Sequence, residues 1–96
     1  MKRYLLSPRA QKDLEEIWNY SVKIWGVDQA ETYLRQIQKG IEIVVRTPEV
    51  GRSCDHIREG YRKFPAGSHV VFYRMTKGKI DIVRILHERM DIGRQF

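Results

Sequence analysis

A strand, two helices and then three strands, in that order, predict an α+β domain. Its expected form is an N-terminal strand followed by an antiparallel two-helix hairpin packed on a small, twisted, largely antiparallel sheet. Three observations carry this. Apolar residues recur at helical spacing over two successive stretches, only a short glycine-containing break separates those stretches, and the last third is rich in Val, Ile, Phe and Tyr.

Taken in order, Lys2 to Leu6 is short and mixed and predicts a weak strand. Ser7-Pro8 starts the first helix, with the serine hydroxyl as cap and proline at the first helical position, where its missing N–H costs nothing. Ala10, Leu14, Ile17, Trp18, Ser21, Ile24 and Trp25 form the apolar stripe, and Gly26 supplies a left-handed stop. Asp28 to Glu31 forms a capping-box-like pattern that opens the second helix. Its stripe is Ala30, Tyr33, Leu34, Ile37, Ile41, Val44 and Val45, and Thr47-Pro48 ends it. With Gly26 and Val27 as the only link, the two helices should fold back on each other. Glu49 to Gly60, with two glycines and mixed charge, reads as loop. Strands are expected at Tyr61 to Phe64, His69 to Met75 and Lys79 to His87.

If Lys77-Gly78 is a two-residue turn, Thr76 pairs with Lys79 and the register of the last hairpin follows. One face then carries Val70, Phe72, Arg74, Asp81, Val83, Ile85 and His87, and its apolar block suits the helical hairpin. The other carries His69, Val71, Tyr73, Met75, Ile80, Ile82, Arg84 and Leu86, mixed as a partner-binding groove would be. A slip of one residue would exchange the two faces. In this register Arg74 meets Asp81, Arg84 has no partner in the sheet, and His69 and His87 point to opposite faces.

Length and composition bound the function. At 96 residues, with 42% hydrophobic and 31% charged side chains, the sequence fits one globular domain over residues 1–96 rather than disorder. No apolar run approaches a membrane span and the first residues lack a signal-peptide core, so a soluble protein is expected. Cys54, the one cysteine, allows no intrachain disulfide, in keeping with a reducing cytoplasm. Residues 1–50 carry eight basic and seven acidic side chains, whereas residues 51–96 carry ten and five. A basic C-terminal half is suited to nucleic acid, a nucleic-acid enzyme or an acidic partner.

The chemical inventory is thin. There is no glycine-rich phosphate loop, CxxC pair or HExxH motif. Cys54-Asp55-His56 is too sparse for a metal or nucleophile site, and the sequon Asn19-Tyr20-Ser21 falls inside a helix. Trp18 and Trp25, two turns apart, share a face with Leu14 and Ser21; they serve the core unless one of them floors a groove for a partner's helix. Metal-free RNA cleavage would need a base, cations and an acid from among His69, His87, Arg62, Arg74, Arg84 and Tyr73. Histidines on opposite faces count against a two-histidine nuclease.

Several of these segments, in order and spacing, resemble the ParE branch of the RelE/ParE superfamily, the toxin halves of bacterial toxin–antitoxin pairs. They are Tyr4 to Trp18 (YLLSPRAQKDLEEIW), Trp25-Gly26, Gln29-Ala30, Tyr33, Pro48 to Arg52, Gly60 to Arg62, Ser68 to Arg74, Ile82 to His87 and Arg89 to Asp91. The resemblance implies a hairpin against a twisted sheet, a neutralising ParD-type antitoxin and DNA gyrase as target, stalled on cleaved DNA. RelE-like members instead cleave mRNA in the ribosomal A site, commonly with a Tyr or His near the C-terminus. Asp91 to Phe96 (DIGRQF) contains neither, which favours a binding inhibitor without catalysis, cofactor or metal. Expected target contacts are Arg62, Arg84, His87 and Arg89; expected antitoxin contacts are Trp18, Trp25, His69 and Tyr73. Sequence-specific DNA binding is expected of the antitoxin and not of this chain.

Overall fold

The computed structural model describes residues 4–96. The elements are β1 (Tyr4–Leu6), α1 (Pro8–Trp25), α2 (Val27–Arg46), β2 (Arg52–Ser53), β3 (Arg62–Ala66), β4 (His69–Thr76), β5 (Lys79–His87) and α3 (Ile92–Gln95). Lys2 and Arg3, included in the expected first strand, lie outside the described residues.

Ser7 caps α1 as its position predicts: its Oγ accepts from the Ala10 amide at 2.9 Å and donates to the Val83 carbonyl at 2.7 Å. One hydroxyl thus starts the helix and ties it to β5. Gly26 alone, at φ +91°, links the two helices. The capping box at Asp28 does not form. Helix α2 begins at Val27 without a side-chain cap, and Asp28 lies in the first turn, where its charge favours the helix dipole.

The sheet has the order β1-β5-β4-β3-β2. It is antiparallel except where β1 pairs parallel with β5. The 49–60 stretch expected as loop contains a 3₁₀ turn at Pro48–Val50 and the two-residue β2. The turn at Lys77-Gly78 holds both residues at positive φ, and Thr76 does pair with Lys79.

The inferred register holds from Thr76 to Tyr73 and then breaks. Tyr73 faces Ile82, but Phe72 faces Arg84, so Val83 is the extra residue of a bulge. Beyond it, Ile85 and His87 change faces. The helical hairpin therefore packs on the face carrying Val71, Tyr73, Ile80 and Ile82, joined by Ile85, and not on the Val70/Phe72/Val83 face expected. That second face has its own cover: Cys54, Tyr61, Phe72 and Leu86 pack with Ile92 and Phe96 from the C-terminal segment. Phe96 meets Tyr61 and Phe72 edge to face, with centroids at 5.7 and 5.3 Å.

Candidate functional site

Where the hairpin meets the end of the sheet opposite the Lys77-Gly78 turn, a groove of about 590 Å³ opens. Tyr20 and Trp25 of α1 form an exposed apolar rim, with Trp25 52% exposed, and Ile17 and Ile85 lie deeper. Trp25 rests edge-on against Tyr33 of α2, with centroids 5.8 Å apart. His69, His87, Arg89 and Met90 line the sheet side, while Asp13 and Glu16 border it from α1.

The bulge brings His69 and His87 together. They are cross-strand partners on one face, with ring centroids 5.2 Å apart, not residues on opposite faces. Each ring is held through Nδ1. The Tyr33 hydroxyl lies 2.5 Å from His69 Nδ1 and accepts from the Ser68 amide at 2.9 Å. The Arg89 amide donates to His87 Nδ1 at 3.1 Å. Burial, reinforced by the neighbouring His87, holds the His69 imidazole below the usual range, so it is neutral near pH 7. Burial pushes the Tyr33 hydroxyl upward, and its hydrogen bonds with Ser68 partly offset this.

Beneath the groove, Arg84 answers Asp13. Nε donates to Oδ2 at 2.8 Å and Nη2 to Oδ1 at 3.0 Å, while Asp13 also accepts from the Ile85 amide at 3.0 Å. Nη1 reaches the Gln95 carbonyl at 3.2 Å, so one side chain joins α1, β5 and the C-terminal segment. The hydrogen bonds to Asp13 hold the guanidinium above its usual range against the cost of burial. Only 8% exposed, Arg84 is a tie between elements and not the surface contact expected.

The remaining expected residues disperse. Tyr73 is fully buried at the far end of the hairpin layer, donating to the Pro48 carbonyl at 2.6 Å and accepting from the Gly51 amide at 2.9 Å. This satisfies its hydroxyl and leaves nothing for a partner. Arg62 donates to the Gly51 carbonyl at 2.7 Å and steadies the same turn. Trp18 is half-buried in a separate depression beside Leu34, between Glu31 and Arg35. Arg74 pairs with Asp81 at 3.4 Å as expected. The groove therefore unites Trp25, His69, His87 and Arg89, and excludes Trp18, Tyr73 and Arg62.

Sequence reasoning assigned no role to Asp13 and gave Tyr33 a place in a stripe and in the family resemblance, but no site role. A signal for Asp13 existed: it lies three residues after Ala10 and four before Ile17, in the middle of an apolar face. A carboxylate there needs a cation, and Arg84 was left without a partner. Among the described residues no cluster of three or more His, Cys, Asp or Glu side chains could hold a metal ion, and no helix is long and apolar enough to cross a membrane.

This geometry defines a hairpin-on-sheet domain with a groove between α1 and the end of the sheet. Residues 4–92 match the family model for the ParE toxin of the type II toxin–antitoxin system parDE, and the chain belongs to that family. It is 59% identical over 93 residues to Toxin ParE1 of Mycobacterium tuberculosis, covering 96% of this chain and 95% of that one. It is 46% identical over 91 residues to Toxin ParE1 of Caulobacter vibrioides, covering 95% and 94%. A chain from a solved structure of the chromosomal ParDE TA system from P. aeruginosa superposes with a TM-score of 0.77 over 91% of this chain and 96% of that one; at 19% identity, the likeness is one of fold.

Proposed function

We propose that this toxin acts by binding: it inhibits DNA gyrase, blocks replication in the cytoplasm, and is neutralised by a ParD-type antitoxin. The observation that carries this is the near-full-length similarity to proteins named Toxin ParE1. The structural neighbour belongs to a ParDE system, which supports an antitoxin partner, and the basic half from residue 51 onward supports an acidic target surface. His87 and Arg89 are the target contacts still accessible, and the bound antitoxin would cover them; Arg62 acts only by holding the turn at the far end of the hairpin layer, and Arg84 by holding α1 to β5. Trp25 and His69 are the antitoxin contacts within the groove. No cofactor or metal enters this mechanism, and operator reading belongs to the antitoxin.

One observation favours a second reading. His69 and His87 now stand side by side with Tyr33, as a ribosome-dependent mRNA endonuclease could use. Purified toxin in two parallel assays separates the two. With gyrase, ATP and plasmid, lost supercoiling and accumulated cleaved DNA, abolished by antitoxin, is the expected result. Codon-positioned cuts with programmed ribosomes, and no effect on gyrase, would overturn it. Silence in both from folded protein would leave an antitoxin ligand and co-repressor.

A further inference from the structure

The two imidazoles of the groove are each held through Nδ1. A backbone N–H can only donate, so His87 Nδ1, which receives the Arg89 amide, is unprotonated and its ring proton sits on Nε2. The Tyr33 hydroxyl, which accepts from the Ser68 amide, also bonds His69 Nδ1; with the phenol proton in that bond, the imidazole proton sits on Nε2. Neither Nε2 has a partner among the hydrogen bonds of the described residues, and no buried side-chain nitrogen is left unsatisfied. Both Nε2–H groups therefore reach the groove surface. On its sheet side the groove presents two ring N–H donors beside the Arg89 cation, with Ile17, Tyr20, Trp25 and Ile85 as its apolar part.

We infer that His69, His87 and Arg89 form a reading site for a single carboxylate carried by an apolar segment of the antitoxin. This rests on the antitoxin reading above. Charge decides the kind of partner. Glu16 lines the opposite side of the groove, beside an Asp13 already paired with Arg84, and would repel a run of phosphates, whereas one Asp or Glu side chain needs only the three donors on the sheet side. Trp25, Tyr20 and Met90 would cover the apolar residues on either side of that carboxylate. Both rings are held through Nδ1 before binding, so no rearrangement of the rings precedes it.

The test is calorimetric titration of the toxin with its ParD-type antitoxin. Replacing both histidines with phenylalanine keeps ring bulk and removes both donors; affinity should fall by about tenfold to a hundredfold. In the single-site pair, His87→Phe should lose affinity and His87→Gln, whose amide retains a donor, should recover most of it. The wild-type protein supplies a readout independent of folding: long-range nitrogen–proton NMR should show both rings protonated at Nε2 at pH 7.5, with those protons exchanging slowly only in the complex. Unchanged affinity in the folded double variant, or Nε2 protons unaffected by the complex, would overturn the carboxylate site and leave the antitoxin reading standing. No binding by the wild type would end both. Displacement of antitoxin by a short single-stranded RNA would assign the donors to phosphate and overturn the inference.

Discussion

Two tyrosines make the same pair of hydrogen bonds at opposite ends of the hairpin layer, and their surroundings separate structure from recognition. Tyr73 accepts from Gly51 and donates to Pro48; both partners of its hydroxyl are backbone, and the bonds end there. Tyr33 accepts from Ser68 but also bonds His69, whose far nitrogen opens on the groove. One hydroxyl closes a turn, whereas the other sets the chemistry of a surface. A buried tyrosine is therefore informative through what lies beyond its partner, and burial alone says little about role.

The largest effect should come from the tie beneath both regions. Arg84→Ala strands Asp13 without its cation and should cost about 3–5 kcal/mol in chemical denaturation. Replacing both residues with apolar ones of similar size should cost far less, since no unpaired charge remains. Next in size is removal of residues 92–96, which takes Ile92 and Phe96 from the second core and Gln95 from Arg84, at about 2–3 kcal/mol read from thermal unfolding. Lost toxicity after such a truncation therefore reports folding as well as contact.

The tyrosine pair sharpens the contrast directly. Tyr73→Phe should lower stability by about 1–3 kcal/mol and leave antitoxin affinity unchanged. Tyr33→Phe should lower stability by about 1 kcal/mol or less yet weaken antitoxin binding, because His69 loses the bond that holds its ring. Equal effects on binding from both variants would erase the distinction.

The smallest effect is one of pH. His69 titrates lower in the folded chain than the unfolded value of about 6.5, so the folded state binds fewer protons there. Its contribution to stability is complete above pH 6.5 and declines as pH falls through 6.5 to the lowered folded value. Denaturation midpoints should drop over that window, and His69→Gln should flatten this part of the profile. Tyr33 and Tyr73 carry the opposite sign: both are raised, so what they contribute is present below pH 10 and declines above it.

Much of the fold was legible because local chemistry dictated it. Ser7-Pro8 starts α1, Thr47-Pro48 stops α2, and Lys77-Gly78 fixes the first four pairs of the last hairpin. The groove was not legible, because one extra residue at Val83 moved Ile85 and His87 to the other face, and no local signal marks a bulge within a Val/Ile-rich strand. The Asp13–Arg84 pair spans 71 residues, a separation that no periodicity encodes. The C-terminal helix is four residues long and held by packing of Ile92 and Phe96 rather than by propensity, so it too escaped notice.

The claim that the Tyr33 end of the molecule is the recognition surface has a direct optical test. The two tryptophans lie on either side of the contrast: Trp25 on the groove rim, Trp18 in the depression beside Leu34. Adding an antitoxin whose own tryptophans are replaced by phenylalanine should shift the toxin's emission to the blue. The shift should persist in Trp18→Phe and vanish in Trp25→Phe. A shift that survives loss of Trp25 and disappears with Trp18 would place the partner on the outer face of the hairpin and contradict the groove.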